Sequence, residues 1–131
     1  MCEVKEIMTH RVVTVGPNEP IREAVRLLLD HGVSGLPVVD AEQRLLGVIS
    51  EIDIIDLIYK ADIDSCKVSE YMTRSVRSLD AEASLDDAAS IFCAQAIRRI
   101  PVTQDGRLVG ILSRHDLIRF VRDVREQMAL Q

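Results

Sequence analysis

The sequence predicts an α/β fold of two tandem β-α-β-β-α repeats, packed through their small sheets about a pseudo-twofold axis. Three observations predict it: an internal repeat over nearly the whole chain, apolar residues that change between strand and helix spacing, and a polar turn between two apolar runs in each half. We place the first repeat at residues 1–60, a linker at 61–70 and the second repeat at 71–131.

The internal repeat becomes visible when the sequence is shifted by 64 residues. Met8-Thr9 then falls on Met72-Thr73, and Pro37-Val38 falls on Pro101-Val102. After one residue is deleted from the following loop the shift becomes 63. Four further residues then align: Gly47, Ser50, Asp53 and Ile55 fall on Gly110, Ser113, Asp116 and Ile118. Two copies of one unit explain the organisation better than two unrelated halves.

Each repeat opens with a short β-branched or apolar run, at residues 12–15 and 75–79, which predicts a strand. An amphipathic helix follows each run, because apolar residues recur there at helical spacing. Pro20 suits the first turn of one helix, and Ser84 with Asp87 resembles a capping box at the start of the other. Cys93 falls on the apolar face of the second helix, so we expect it in the core.

Two apolar strands and a closing helix complete each repeat. The strands begin near Pro37 and Pro101 and are joined by polar turns, of which Asp105-Gly106 is a strong hairpin signal. The second strand of each pair is apolar on both faces, which is typical of a buried strand. The closing helices are predicted at residues 51–60 and 114–128.

Composition excludes several classes of protein. The length of 131 residues suits one domain, and the net charge of −5 lacks the basic footprint of a nucleic-acid-binding domain. Aromatic residues make up only 3%, too few for base-stacking platforms, and no apolar run reaches the roughly 20 residues of a membrane span. Three cysteines without Cys-x-x-Cys spacing indicate reduced thiols, hence a cytoplasmic protein.

Catalytic and metal-binding motifs are not found. His10, His31 and His115 form no metal-ligand spacing with each other or with the cysteines. There is no P-loop, no nucleophile elbow and no pair of carboxylates marked as acid and base. We therefore expect neither an enzyme nor a protein-held metal, and no tightly bound cofactor.

A Ser-x-x-Asp pattern begins both closing helices, with Ser50 and Asp53 in the first repeat and Ser113 and Asp116 in the second. Free backbone N–H groups at a helix start favour an anion such as phosphate, and a carboxylate there can accept hydrogen bonds from ribose hydroxyls. The same pattern is also a helix cap, worth about 1 kcal/mol without any ligand. Duplication favours the ligand interpretation, and both can hold together.

These motifs resemble the tandem cystathionine-β-synthase (CBS) domain pair, or Bateman module. The similarity rests on EIMT, SGLPVVD and GVISEID in the first repeat and on EYMT, RRIPVTQDG and GILSRHD in the second, and it covers about residues 4–122. It implies a non-catalytic regulatory module that binds adenosyl ligands such as AMP, ADP, ATP or S-adenosylmethionine. It also implies that the Ser and Asp of each pattern contact ribose and phosphate.

The resemblance extends to further site residues. Basic residues just before the strand proline contact phosphates in nucleotide-binding members, and Arg98 and Arg99 match that position. Backbone groups near the two strand prolines are candidates for an adenine pocket, with core packing as the equal alternative. Hydroxyls near the opening strands are candidates for weaker contacts. These two candidate groups are Leu36, Pro37, Ile100 and Pro101, and Thr14 and Ser78.

We expect an adenine-nucleotide sensor, with ligands in clefts between the repeats and Mg²⁺ held by the phosphates if ATP is bound. Its expected partners are an unidentified regulated protein and, by resemblance, a second copy in a homodimer. One alternative is a sensor of S-adenosylmethionine or NAD. Another is a ligand-independent interaction module, because Leu117, Val121, Val124 and Met128 recur at heptad-like spacing unless they cover the core.

Overall fold

A computed structural model describes residues 2–60 and 62–130, so Ala61 of the predicted linker and both terminal residues lie outside the described part. The helices are α1 (Val4–Ile7), α2 (Ile21–His31), α3 (Glu51–Ile55), α4 (Val68–Tyr71), α5 (Leu85–Ala94) and α6 (Arg114–Ala129). The strands are β1 (Gly35–Val39), β2 (Leu45–Ser50), β3 (Leu79–Asp80), β4 (Arg99–Gln104) and β5 (Arg107–Ser113). The predicted α/β class, with small sheets and helices, is confirmed.

The chain packs as two units that exchange their opening segments. The first-repeat unit consists of Val13–Val76 with Gly106–Leu108. The second-repeat unit consists of the chain up to Val12, Arg77–Asp105 and the chain from Val109 onward. The segment before Val12 therefore packs with the second repeat, and α4 packs with the first. The predicted boundaries follow the repeat in the sequence, whereas the packing follows this exchange.

In the first-repeat unit, β1 and β2 form an antiparallel hairpin whose register runs from Gly35 opposite Ser50 to Val39 opposite Leu45. Helix α2 buries its apolar stripe and ends at Gly32, which adopts the left-handed conformation that glycine tolerates best. The core of this unit gathers buried residues of both strands and of α2 and α4: Ile21, Ala24, Leu28, Leu36, Val38, Ile49 and Val68.

In the second-repeat unit, the sheet order is β3-β4-β5, and β3 runs parallel to β4 with Leu79 opposite Val102. Helix α5 lies between these two parallel strands in the chain, as a crossover connection requires. The core gathers buried residues of the sheet, of α5 and of the opening segment: Val4, Met8, Leu79, Ala88, Ile100, Val102 and Leu112.

Two glycines let the opening segments approach the hairpin strands closely. A Cβ placed on Gly110 would lie 2.5 Å from Met8 Sδ and 2.8 Å from the Thr9 carbonyl oxygen. A Cβ on Gly47 would lie 2.5 Å from the Thr73 carbonyl oxygen. Each Met-Thr pair that marks the sequence repeat is thereby held against the strand that leads into a Ser-x-x-Asp helix.

Four local predictions are wrong. The strand predicted at residues 12–15 reduces to one bridge between Val15 and Val38, and that at 75–79 is assigned to strand only at Leu79. Val15 bonds to β1 through the Pro37 carbonyl and the Val39 N–H, and the pairing of the second run with β4 begins only at Leu79. The first closing helix ends at Ile55 instead of residue 60. Cys93 is exposed, because it lies in the last turn of α5 on the wall of an open cavity of about 500 Å³.

Within the described residues, none of the helices is long and apolar enough to cross a membrane.

Candidate functional site

The second-repeat site is built where β5 ends and α6 begins. The Ser113 hydroxyl accepts a hydrogen bond from the Asp116 backbone N–H at 3.2 Å, and the Asp116 carboxylate accepts one from the Ser113 N–H at 2.9 Å. This reciprocal capping box satisfies two backbone donors at the start of a helix of 16 residues. The cap interpretation of the Ser-x-x-Asp pattern is thus realised in the structure.

The first-repeat site repeats this geometry at the junction of β2 and α3. The Asp53 N–H donates to the Ser50 hydroxyl at 3.3 Å, while the Ser50 N–H and hydroxyl donate to one Asp53 carboxylate oxygen at 2.9 and 3.0 Å. The helix that follows has only five residues. Its dipole is correspondingly smaller than that of α6.

The opening segments place a threonine hydroxyl on each carboxylate. Thr9 donates to Asp116 at 3.2 Å to one oxygen and 3.4 Å to the other, and Thr73 donates to Asp53 at 3.3 Å. Sequence reasoning missed both threonines, although their repetition at a shift of 64 marks them. Their hydrogen bonds to the two carboxylates depend on the exchange of opening segments, for which the local sequence pattern carries no signal. The hydroxyl on each carboxylate marks where an alcohol of a ligand can be accepted.

The two carboxylates differ in burial and in charge pairing. The Asp116 side chain is 2% exposed and forms an ion pair with Arg119 at 3.1 Å. Asp53 is half-buried, and within residues 2–60 and 62–130 no ion pair reaches it. Sequence reasoning also missed Arg119, which lies three residues after Asp116 and therefore on the same face of the helix.

The backbone of Arg98, one of the two predicted arginines, is bonded to the start of α6. The Arg98 carbonyl accepts a hydrogen bond from the Arg114 N–H at 3.1 Å, and the Arg114 side chain donates to the Ile97 carbonyl at 2.8 Å. Arg98 and Arg99 are both exposed. The matching bond in the first repeat runs from the Glu51 N–H to the Ser34 carbonyl at 2.9 Å.

The residues near the strand prolines pack into the cores. Leu36 is fully buried, Ile100 is 1% exposed, and Pro37 and Pro101 are buried. The Pro37 carbonyl already accepts a hydrogen bond from the Val15 N–H at 3.1 Å. Core packing, the alternative weighed for this group, is what these side chains do in the structure.

The hydroxyls of Thr14 and Ser78, predicted as weaker ligand contacts, do not lie at the Ser-x-x-Asp helix starts. Thr14 lines a cavity of about 480 Å³ formed by residues 14–19, 39–41 and 43, whose lining does not include Ser50 or Asp53. Ser78 is exposed just before β3. The structure brings neither hydroxyl to a Ser-x-x-Asp helix start in the way it brings Thr9 and Thr73.

Among residues 2–60 and 62–130, no cluster of three or more His, Cys, Asp or Glu side chains is arranged to hold a metal ion.

The family model described as "CBS domain" matches the chain twice, at residues 4–60 and 68–123. The chain belongs to the CBS domain family. Its tandem arrangement is shared with solved CBS-pair structures. CBSX2 in complex with AMP is 32% identical, with a TM-score of 0.84 over 95% of this chain and 99% of that one. The CBS domain pair of MJ0100, in complex with 5-methylthioadenosine and S-adenosyl-L-methionine, is 29% identical, with a TM-score of 0.76 over 94% and 98%.

Some curated relatives are similar in length to this chain, and others are much longer. An uncharacterized 17.7 kDa protein of Acidianus ambivalens is 36% identical over 123 residues, which cover 93% of this chain and 74% of that protein. An inosine-5'-monophosphate dehydrogenase of Methanocaldococcus jannaschii is 32% identical over 116 residues, but the chain spans only 22% of its length. Similarity to that enzyme is therefore confined to a small part of it.

Proposed function

We propose that this CBS pair is a regulatory module that binds an adenine nucleotide, AMP, ADP or ATP, and signals its occupancy to a partner protein. Two CBS-pair neighbours were crystallised with adenosyl compounds, one with AMP and one with 5-methylthioadenosine and S-adenosylmethionine. The module has no catalytic role in this proposal. Any Mg²⁺ would be held by the phosphates of bound ATP, and S-adenosylmethionine and NAD are the alternative ligands.

The observation that carries the proposal is the environment of the Asp116 carboxylate. It lies at the start of a 16-residue helix and already accepts a hydroxyl hydrogen bond from Thr9. A ribose hydroxyl can take the place of that hydroxyl and form a charge-assisted bond with the carboxylate. The helix N-terminus and the neighbouring Arg98 and Arg99 favour a phosphate on the same ligand.

The first-repeat site has the same arrangement of serine, aspartate and threonine, so we include it in the proposal. Ser50 and Asp53 form the matching helix start, and Thr73 holds the matching hydroxyl. Since Leu36 and Ile100 are core residues, we assign any contact with the adenine base to backbone groups beside the two strand prolines. Thr14 and Ser78 stay as predicted contacts of lower rank, as does the cytoplasmic location predicted from the cysteines.

Titration calorimetry with AMP on Asp116→Ala and on Asp116→Asn tests the second-repeat site. We expect a loss of about 1.5–3 kcal/mol in binding free energy, the range for hydrogen bonds to a charged group. Asp87→Ala is the control, because Asp87 also lies three residues after an N-cap serine, Ser84, on a helix outside the site. Unchanged affinity in both Asp116 variants, with native circular dichroism, would remove Asp116 from the site.

A specific observation also favours self-association. Helix α6 exposes an apolar stripe in which Ile118 is 67% exposed, Val121 54% and Met128 69%. On the first-repeat unit, Ile52 and Tyr59 are 77% and 97% exposed. Apolar surface of this kind is typical of an interface, and we propose a homodimer that buries it. Val121→Glu should lower the mass measured by sedimentation to that of a monomer, whereas Gln127→Glu, which adds the same charge on another face of α6, should not.

A further inference from the structure

The two Ser-x-x-Asp sites share a backbone but carry opposite charge. At matched positions around each helix start, the first repeat has acidic or small residues and the second has arginines. These matched sets, first repeat before second, are Ser34-Gly35 and Arg98-Arg99, Glu51 and Arg114, and Asp56 and Arg119. The shared capping geometry therefore presents two different electrostatic environments to a ligand.

Arg119 contacts the second-repeat carboxylate directly. Its guanidinium lies 3.1 Å from an Asp116 oxygen, and that carboxylate is 2% exposed whereas the Arg119 side chain is 55% exposed. An opposite charge in contact with a carboxylate offsets part of its negative charge. The charge of Asp116 is therefore compensated before a ligand arrives, and a phosphate on that ligand meets no net repulsion from it.

Asp56 stands at the matching position of the first repeat. It is exposed, it carries a negative charge where Arg119 carries a positive one, and it forms an ion pair with Lys60 at 3.0 Å. The Asp53 carboxylate accepts hydrogen bonds only from neutral donors, Ser50 and Thr73, among residues 2–60 and 62–130. Glu51 adds a further negative charge at the helix start. The start and end of α3 therefore carry three carboxylates, Glu51, Asp53 and Asp56, of which Asp56 is paired with Lys60.

We infer that Arg119 and Asp56 determine the charge of the adenosyl ligand that each site takes. Arg119 makes the second-repeat site accept phosphorylated ligands, and Asp56 makes the first-repeat site select adenosyl ligands without phosphate, whether uncharged or with a sulfonium cation. The inference rests on the proposed function, since it assumes that both sites bind an adenosyl group. The longer helix at the second-repeat site acts in the same direction, because its N-terminus carries the larger dipole.

The test exchanges the two charges in the full chain. Titration calorimetry would measure adenosine, AMP, ATP and S-adenosylmethionine on the wild type, on Arg119→Asp and on Asp56→Arg. Asp53→Asn and Asp116→Asn, each made separately in the wild type, assign a binding event to its site. Arg125→Asp and Glu42→Arg are matched controls, because each makes the same change of charge at an exposed position, on α6 or in the β1–β2 turn.

We expect Arg119→Asp to lower the affinity for AMP and ATP about tenfold relative to the affinity for adenosine. We expect Asp56→Arg to raise the affinity of the first-repeat site for AMP and ATP about tenfold. This is the order of magnitude expected when the sign of one charge near another is changed at a protein surface. Both changes should shrink as salt is raised. Arg119→Gln should shift affinity in the same direction by less, and it keeps the test valid if Arg119→Asp unfolds. Equal losses of affinity for adenosine and for AMP in the Arg119 variants would overturn the inference and leave the proposed function standing. Absence of binding by all four ligands to the wild type would instead refute the proposed function.

Discussion

The two repeats build the same capping geometry but surround it differently. Ser50 and Ser113 accept almost the same hydrogen bonds from the aspartate three residues later, at 3.3 and 3.2 Å. Asp53 is half-buried at the start of a helix of five residues, while Asp116 is buried at the start of one of sixteen and is paired with Arg119. A duplicated motif can therefore keep its backbone role while its charge, and with it the ligand it suits, diverges between copies.

The largest effect on stability is expected at Gly47 and Gly110, the two glycines that let the opening segments approach the hairpin strands. Gly47→Ala places a Cβ 2.5 Å from a backbone oxygen of Thr73, and Gly110→Ala places one 2.5 Å from the flexible end of Met8 and 2.8 Å from the Thr9 carbonyl. We expect both to lower the free energy of unfolding by about 1–3 kcal/mol, Gly47→Ala by more, as for overpacked cores. Urea unfolding measures this. Gly35→Ala is the control, since its Cβ meets nothing nearer than 3.5 Å.

If Gly47→Ala and Gly110→Ala were both as stable as Gly35→Ala, the close approach of the opening segments would be wrong.

A smaller effect separates the two threonines. Thr9→Val removes a hydrogen bond to a buried carboxylate, and Thr73→Val removes one to a half-buried carboxylate, at similar distances. We expect a loss of about 1 kcal/mol for Thr9→Val and about half of that for Thr73→Val, because a buried acceptor left short of a donor costs more. Chemical unfolding of both variants gives the comparison, and a larger loss for Thr73→Val would contradict it.

The extent to which sequence predicts this molecule depends on how local each feature is. The caps at Ser50, Ser84 and Ser113 follow from residues within one helical turn, and all three form. The exchange of opening segments depends on long-range pairing, such as Thr9 with Ile111, for which the local pattern carries no signal. The hydrogen bonds of Thr9 and Thr73 depend on that exchange, so the sequence did not predict them.

Residues that the sequence pattern places on an apolar face can also end outside the core. Cys93 has the spacing of a core residue, but the last turn of α5 is exposed at residues 93 and 94. Spacing predicts the face of a helix on which a residue lies, whereas burial also depends on what lies opposite that face. Arg119 could have been found from spacing alone, since it follows Asp116 by three residues.

The smallest effect concerns the hairpin turns at the far end of the two strand pairs. Backbone N–H groups of Arg44 and Glu42, together with the Arg44 guanidinium, hold the pKa of the Asp40 carboxyl below its ordinary value. A folded-state pKa below the unfolded value of about 3.9 stabilises the fold above that pH, and this contribution is lost as the pH falls through the folded-state pKa. Gln104 stands at the matching position and does not titrate.

We therefore expect Asp40→Asn to lower the unfolding midpoint slightly at pH 6, with the difference from wild type vanishing towards pH 3. Thermal unfolding followed by circular dichroism across that range measures it. A constant difference at every pH would show that the Asp40 charge contributes nothing.

The central claim is that this CBS pair binds a phosphorylated adenosyl ligand through the second-repeat site, and thermal unfolding with AMP, ATP and adenosine tests it most directly. A ligand at 100 times its dissociation constant stabilises the folded state by about 2.7 kcal/mol, which for a domain of this size raises the midpoint by several degrees. We predict that rise with AMP or ATP for the wild type and its loss in Asp116→Asn. A wild-type midpoint that no adenosyl ligand moves would contradict the claim and leave the interaction module as the function to test.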